Sequence, residues 1–207
     1  MMRKILFPII ASILLSSCKS ESKERENTLE SNKKTISKAS KLTEQYNLFV
    51  EQFPIIKTPI KIKACDDDFS EFIQLNDTNN ILDREEFNYI YGKIKINEEY
   101  IAVITLEEAE CFMPILTTFK SNGEIVNSKE LMIGRCGPDP CFECEELMEI
   151  DNDLNIYVAF NSRYFNCDEN GNEIVGTDKK EVIYKTGKIT KEGIIELTNE
   201  VKKQNPD

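Results

Sequence analysis

The chain of 207 residues contains no histidine and no tryptophan. Without histidine there is no Ser-His-Asp or Cys-His nucleophilic arrangement, no H-E-x-x-H zinc site and no imidazole acid–base pair, so most familiar enzyme classes are excluded. Cations are also short: 26 Lys and Arg stand against 37 Asp and Glu, a formal charge of -11. A nucleic-acid binder needs a basic face to neutralise phosphates, so that class is excluded as well. No apolar run is long enough to cross a bilayer. The apolar run at the N-terminus, Ile5 to Leu15, rises about 16 Å as a helix against the ~30 Å of a hydrocarbon core. What remains, 40% hydrophobic and 30% charged residues, is the composition of a globular protein of one domain.

The N-terminus reads Met1-Met2-Arg3-Lys4, then Ile5 to Leu15, then Ser16, Ser17 and Cys18. A short basic start, an apolar core and small residues before a cut describe a secretory signal peptide over residues 1–17. The junction Leu15-Ser16-Ser17-Cys18 resembles the lipobox of bacterial lipoproteins. That resemblance implies a diacylglycerol on the Cys18 thiol, cleavage just before it and attachment to a membrane, the outer membrane facing the periplasm or the cell surface. Two or three acyl chains hold such a protein in the bilayer effectively permanently. Lys19-Ser20-Glu21 loosely resembles the acidic sorting signals of surface-exposed lipoproteins in the Bacteroidetes phylum.

Residues 18–45 are expected to be the lipidated cysteine and a flexible charged tether. From Lys19 to Gln45 there are seven basic and five acidic residues, with Leu29, Ile36, Ala39 and Leu42 as the aliphatics, too little apolar surface to offset chain entropy. Residues 46–207 are expected to form an antiparallel β domain. That body holds 17 basic and 32 acidic residues, net -15, and repels anionic partners and head groups.

Leu42, Tyr46, Phe49, Val50 and Phe53 recur at three- and four-residue steps, one face of a short helix that Pro54 ends. Strand signals follow. Phe87 to Ile96 alternates, with Ile90, Gly92, Ile94 and Ile96 expected on one face and Tyr89, Tyr91, Lys93 and Lys95 on the other. It is expected to form a hairpin with the apolar run Tyr100 to Leu106. Ser121-Asn122-Gly123 joins Phe112–Phe119 to Glu124–Ile133, and Asn-Gly between apolar runs is the strongest short hairpin signal. Asp151-Asn152-Asp153 joins Leu147–Ile150 to Leu154–Phe160, and Glu181–Tyr184 and Ile194–Thr198 are further strands. With no α/β alternation, the fold class is mainly β: an antiparallel β-meander or sandwich-like single domain with a short N-terminal helix. The pieces Tyr91–Ile96, Cys167–Glu173 and Lys185–Glu196 look similar to uncharacterised small lipoproteins of the same phylum, a likeness that implies a location and no activity.

Six cysteines follow Cys18: Cys65, Cys111, Cys136, Cys141, Cys144 and Cys167. An even number in an exported chain points to disulfides, with 15 pairings open. The expectation taken is Cys144 with Cys167, Cys136 with Cys141 around Gly137-Pro138-Asp139-Pro140, and Cys65 with Cys111. The sharper alternative is a thiol-metal or redox protein. Cys136, Cys141, Cys144 and Cys167 would then be four thiolates for zinc or an iron–sulfur cluster, and Cys141-Phe142-Glu143-Cys144 is formally C-x-x-C.

Asp151-Asn152-Asp153-Leu154-Asn155 begins like a calcium loop, but Ile156 stands at the sixth position and Ser162 at the twelfth, so a hairpin turn is expected. Asp66-Asp67-Asp68 reads as a solvated acidic loop. Paired carboxylates could serve a hydrolase, yet 32 acids single out no pair, and no catalytic residue is assigned. Tyr89, Tyr91 and Tyr100 are expected to be cross-strand packing rather than a sugar-stacking patch. No cofactor and no metal are implied. The function expected is a lipid-anchored, non-enzymatic envelope or cell-surface lipoprotein that presents a disulfide-stapled β domain for binding or structural interaction, with a protein or glycan as partner.

Overall fold

The computed structural model describes residues 41–64, 72–82, 88–109, 111–134, 136–137 and 139–204. Cys18, Cys65 and Asp66-Asp67-Asp68 lie outside the described residues. The described chain is one short helix and ten strands. Helix α1 covers 41–51, taking in 41–45, and is followed by Pro54. Its apolar face buries Tyr46 and Phe49, and Phe53 just past its end is buried with them, while Leu42 at its start is 46% exposed. Among the described residues no helix is long and apolar enough to cross a membrane.

One sheet is a meander of β2 (Asn88–Lys95), β3 (Tyr100–Glu107), β4 (Met113–Lys120) and β5 (Ile125–Glu130), all antiparallel in chain order. Both expected hairpins are present. At the second turn Gly123 has φ 90°, a conformation that costs a side-chain-bearing residue energy, and Tyr46 of α1 lies directly over it.

The expected sidedness of β2 is corrected by a bulge. The register with β3 shifts between Ile90 and Gly92, so one extra residue lies on β2 and alternation restarts out of phase. Ile90 therefore faces α1, in a cluster with Tyr46, Phe49, Phe53, Val103 and Phe119. Ile94 faces the opposite way into the main core, against which Tyr89, Tyr91 and Ile96 also pack. Lys93 falls on the α1 side, where its Nζ donates to the carbonyl of Val50 at 2.8 Å.

The second sheet has six strands: β1 (Ile60–Lys63), β6 (Phe142–Ile150), β7 (Asn155–Tyr164), β8 (Lys179–Ile189), β9 (Ile195–Leu197) and β10 (Val201–Gln204). Their order is β1-β6-β7-β8-β10, with β9 also on β8. The two inner faces share one core, in which Ile62, Ile104, Leu106, Leu116, Met148, Ile150 and Val158 are at most 1% exposed. Each such side chain stabilises the fold by ~1.5–3 kcal/mol on burial. The meander and the six-stranded sheet thus make a two-layer sandwich, with α1 docked on the outer face of the meander.

The passage between sheets is fastened by a buried acid. Glu146 on β6, 2% exposed, accepts hydrogen bonds from the backbone amides of Gly134 at 2.7 Å and Ile133 at 3.4 Å, in the segment after β5. Burial pushes its carboxyl above the ordinary range, against the two amides, which pull it down. Lys185 from β8 closes the same junction by donating to the carbonyl of Met132 at 2.6 Å.

Candidate functional site

The outer face of the six-stranded sheet carries an apolar row across four strands. Ile156 and Val158 point into the core, so Tyr157 and Ala159 between and after them point out. Residues directly opposite each other in a ladder share a face. Leu147 pairs with Ala159, Ala159 with Tyr184 and Tyr184 with Val201. Tyr157 and Val182, two residues from members of this row, widen it. The Tyr157 and Tyr184 rings lie 5.9 Å apart at 32°, over the floor made by Ala159, which is 1% exposed.

Charges frame the row, and three pairs of them meet. Lys61 meets Glu149 at 2.7 Å, Lys63 meets Glu145 at 2.5 Å and Lys188 meets Glu196 at 3.3 Å. The Lys63 ammonium and the Asn161 amide hold the Glu145 carboxyl below its ordinary value, against partial burial. Exposed pairs of this kind contribute ~0–1 kcal/mol each to stability. Lys61, Lys63, Arg163, Lys180, Lys188 and Lys203 share this face with Glu143, Glu145, Glu149 and Glu196, in a body whose acids otherwise outnumber its bases heavily.

Beside Tyr157 the face opens into a groove of about 660 Å³ lined by Glu149, Asp151, Asn155, Tyr157, Thr186, Lys188 and Thr198, among others. Its walls are two turns. At the β6–β7 turn, Asp151 accepts from the amides of Asp153 at 2.9 Å and Asn155 at 2.8 Å, and from Asn155 Nδ2 at 2.8 Å. These bonds hold its carboxyl below the usual range, the Asn155 side chain foremost. The calcium-like text is thus a hairpin turn, as expected. The other wall is the β8–β9 hairpin, where the chain passes so close to Gly187 that a Cβ there would lie 1.9 Å from the Glu196 carbonyl oxygen.

The cysteines lie at the other end of the sheet. They pair as Cys136–Cys144 and Cys141–Cys167, which corrects both expected pairings, Cys144 with Cys167 and Cys136 with Cys141. The reason is register. Phe142 lies opposite Tyr164 and Cys144 opposite Ser162, so Cys141 is carried past the end of the ladder toward Cys167, and Phe165 donates its amide to the Cys141 carbonyl at 3.0 Å. Cys144 is left inside the ladder, where the segment carrying Cys136 reaches it. Cys111 is also disulfide-bonded; the expected pairing with Cys65 falls on a residue outside the described set. The four cysteines that a thiolate metal site would require are therefore spent on two covalent bonds.

Arg163 completes this end. Its guanidinium meets Glu143 at 3.3 Å, Asp178 at 3.5 Å and Glu173, and lies 4.8 Å from the centre of the Phe165 ring. The carboxylates, Glu173 first, raise its already high pKa. With Cys141–Cys167 it fastens the long β7–β8 connection.

The remaining candidates are accounted for by packing. Tyr89 meets Phe112 edge-on at 5.2 Å, Tyr91 stacks on Phe72 at 5.8 Å, and Tyr100 lies over Gly193. A separate cleft of about 770 Å³ gathers Glu107, Glu108 and Glu130 with Met113 and Met132, and Glu108 accepts from the Tyr89 hydroxyl at 3.2 Å. Sequence reasoning missed Leu147, Tyr157, Ala159, Tyr184 and Val201. The available signal was the alternation within Ile156–Arg163 and Val182–Lys188, which puts tyrosine where a polar face is expected. The chain has no significant match among family models, curated proteins or solved structures.

Proposed function

We propose that the chain is a lipid-anchored, non-enzymatic envelope or cell-surface lipoprotein that presents a disulfide-stapled β sandwich for binding, through the outer face of its six-stranded sheet. The observation that carries the reading is the row Leu147, Ala159, Tyr184 and Val201 with the Tyr157 ring beside it. Of this row Val201 is 45% exposed, Leu147, Tyr157, Val182 and Tyr184 are half-buried, and Ala159 lies beneath them; contiguous apolar surface with a polar rim is one mark of an interaction face. Much of its rim charge is paired, as Lys61–Glu149, Lys63–Glu145 and Lys188–Glu196.

The anchor rests on Leu15-Ser16-Ser17-Cys18. Disulfides persist outside the reducing cytosol, so Cys136–Cys144 and Cys141–Cys167 support export.

Mass spectrometry of the N-terminal peptide from the membrane fraction tests the anchor. The expected result is a peptide beginning at an acylated Cys18, and loss of membrane association in Cys18→Ser. An intact Met1 terminus or an unacylated Cys18 would overturn it.

A further inference from the structure

Resting on the binding reading above, we infer that the groove beside Tyr157, continued over the Tyr184 ring, is a site for a neutral glycan chain. Three observations converge. The first is shape: a groove of about 660 Å³, within the range of small-ligand sites, and open to solvent.

The second is the kind of surface. The half-buried Tyr157 and Tyr184 rings lie 5.9 Å apart, centre to centre, a spacing of the order of one sugar ring's advance along a chain. A pyranose ring has an apolar face of weakly positive C–H groups, which suits the negative face of an aromatic ring, and an edge of hydroxyls. Around the rings, the groove supplies the side chains of Asn155, Thr186 and Thr198, an amide and two hydroxyls that offer both donors and acceptors, as a ring of hydroxyls requires.

The third is charge. The ionic groups at the groove are already engaged: Lys61 with Glu149, Lys188 with Glu196, and Asp151 with its own turn. A cationic ligand finds its carboxylates taken. An anionic one finds its ammonium groups taken and a body of net charge -15 behind them. A neutral, hydroxyl-rich ligand meets neither obstacle.

Affinity gel electrophoresis of the whole chain tests this, in native gels cast with dextran, mixed-linkage β-glucan, xyloglucan or galactomannan, beside a gel with no polysaccharide. At least one is expected to retard the chain. Tyr157→Ala and Tyr184→Ala should each weaken that retardation by about three- to tenfold, the contribution of one ring contact. Tyr184→Phe, which keeps the ring, should retain it. Thr186→Arg fills the groove without removing either ring, so it should abolish retardation while leaving the thermal midpoint unchanged, which separates lost binding from lost fold.

No retardation in any of the four gels overturns the inference, as does retardation that Thr186→Arg and both alanine variants leave unchanged. Retardation in an added gel cast with the polyanion polygalacturonate, and in none of the four, also overturns it. Sedimentation equilibrium separates this failure from failure of the binding reading: self-association of the wild-type chain that Thr186→Arg abolishes would keep the face as a binding surface and remove only the glycan.

Discussion

The crossed disulfides make the sharpest stability prediction, because their order along the chain fixes how much each constrains the unfolded state. Cys136 and Cys144 are separated by 8 positions, Cys141 and Cys167 by 26. In the loop-closure treatment the first bond contributes ~2.5 kcal/mol and the second ~3.5 kcal/mol at 25 °C. The loops share residues 141–144, so once one is closed the other closes a shorter effective loop. Removing both therefore costs less than ~6 kcal/mol, the sum of the two. Urea unfolding of the oxidised chain, Cys136→Ala with Cys144→Ala, and Cys141→Ala with Cys167→Ala gives the comparison. With m near 1–3 kcal/mol/M, the long-loop variant should lose roughly 1–3 M from its midpoint and the short-loop variant less. Removing a cross-link should also raise m, since the unfolded chain expands. A short-loop variant that loses more than the long-loop one would refute the entropic reasoning. A non-reduced digest linking the Cys144 peptide to the Cys167 peptide would refute the pairing itself.

Further predictions follow from single side chains. Glu146→Leu leaves the Gly134 and Ile133 amides without their carboxylate, and should cost ~1–3 kcal/mol in chemical unfolding. Because burial raises the Glu146 pKa, the folded state holds its proton more tightly than the unfolded one. That contribution is full below the unfolded value near 4.5 and is lost as pH rises through the folded pKa, so a stability profile against pH should carry a downward slope that Glu146→Gln lacks. A profile with the opposite difference would contradict it. Gly187→Ala drives a Cβ into the Glu196 carbonyl, and should cost about 3 kcal/mol or more or detach β9; hydrogen exchange at the β8–β9 ladder reads which, and an unchanged ladder would count against the close approach. Arg163→Ala frees Glu143, Glu173 and Asp178 to repel one another. It should speed limited proteolysis within 165–178, while Arg163→Lys, which lacks the planar fork, restores only part of the protection.

Local signals were legible where neighbours along the chain decide the outcome. The helical spacing of Tyr46, Phe49 and Phe53, the Ser121-Asn122-Gly123 turn and the Asp151–Asp153 turn each act over a few residues. The structure has α1 and both hairpins accordingly. β1 was illegible: four residues, Ile60 to Lys63, become a strand because β6, nearly ninety positions away, offers a free edge. The β2 bulge was hidden for a related reason. Perfect alternation in the text describes an unbroken ladder, and Ile90 and Ile94 part company only because β3 pairs with them out of step.

The sequence by itself determined the class of architecture, the turns and the charge of the body, since periodicity, turn chemistry and composition are properties of the chain. It also carries the lipobox-like Leu15-Ser16-Ser17-Cys18, on which the proposed anchor rests. Only the tertiary structure decided the rest. Cys141 meets Cys167 because a ladder of nine residue pairs ends there, and Tyr157 meets Tyr184 because β7 and β8 share a register. Pairing between strands depends on many weak contacts satisfied together, and no segment read alone contains that sum.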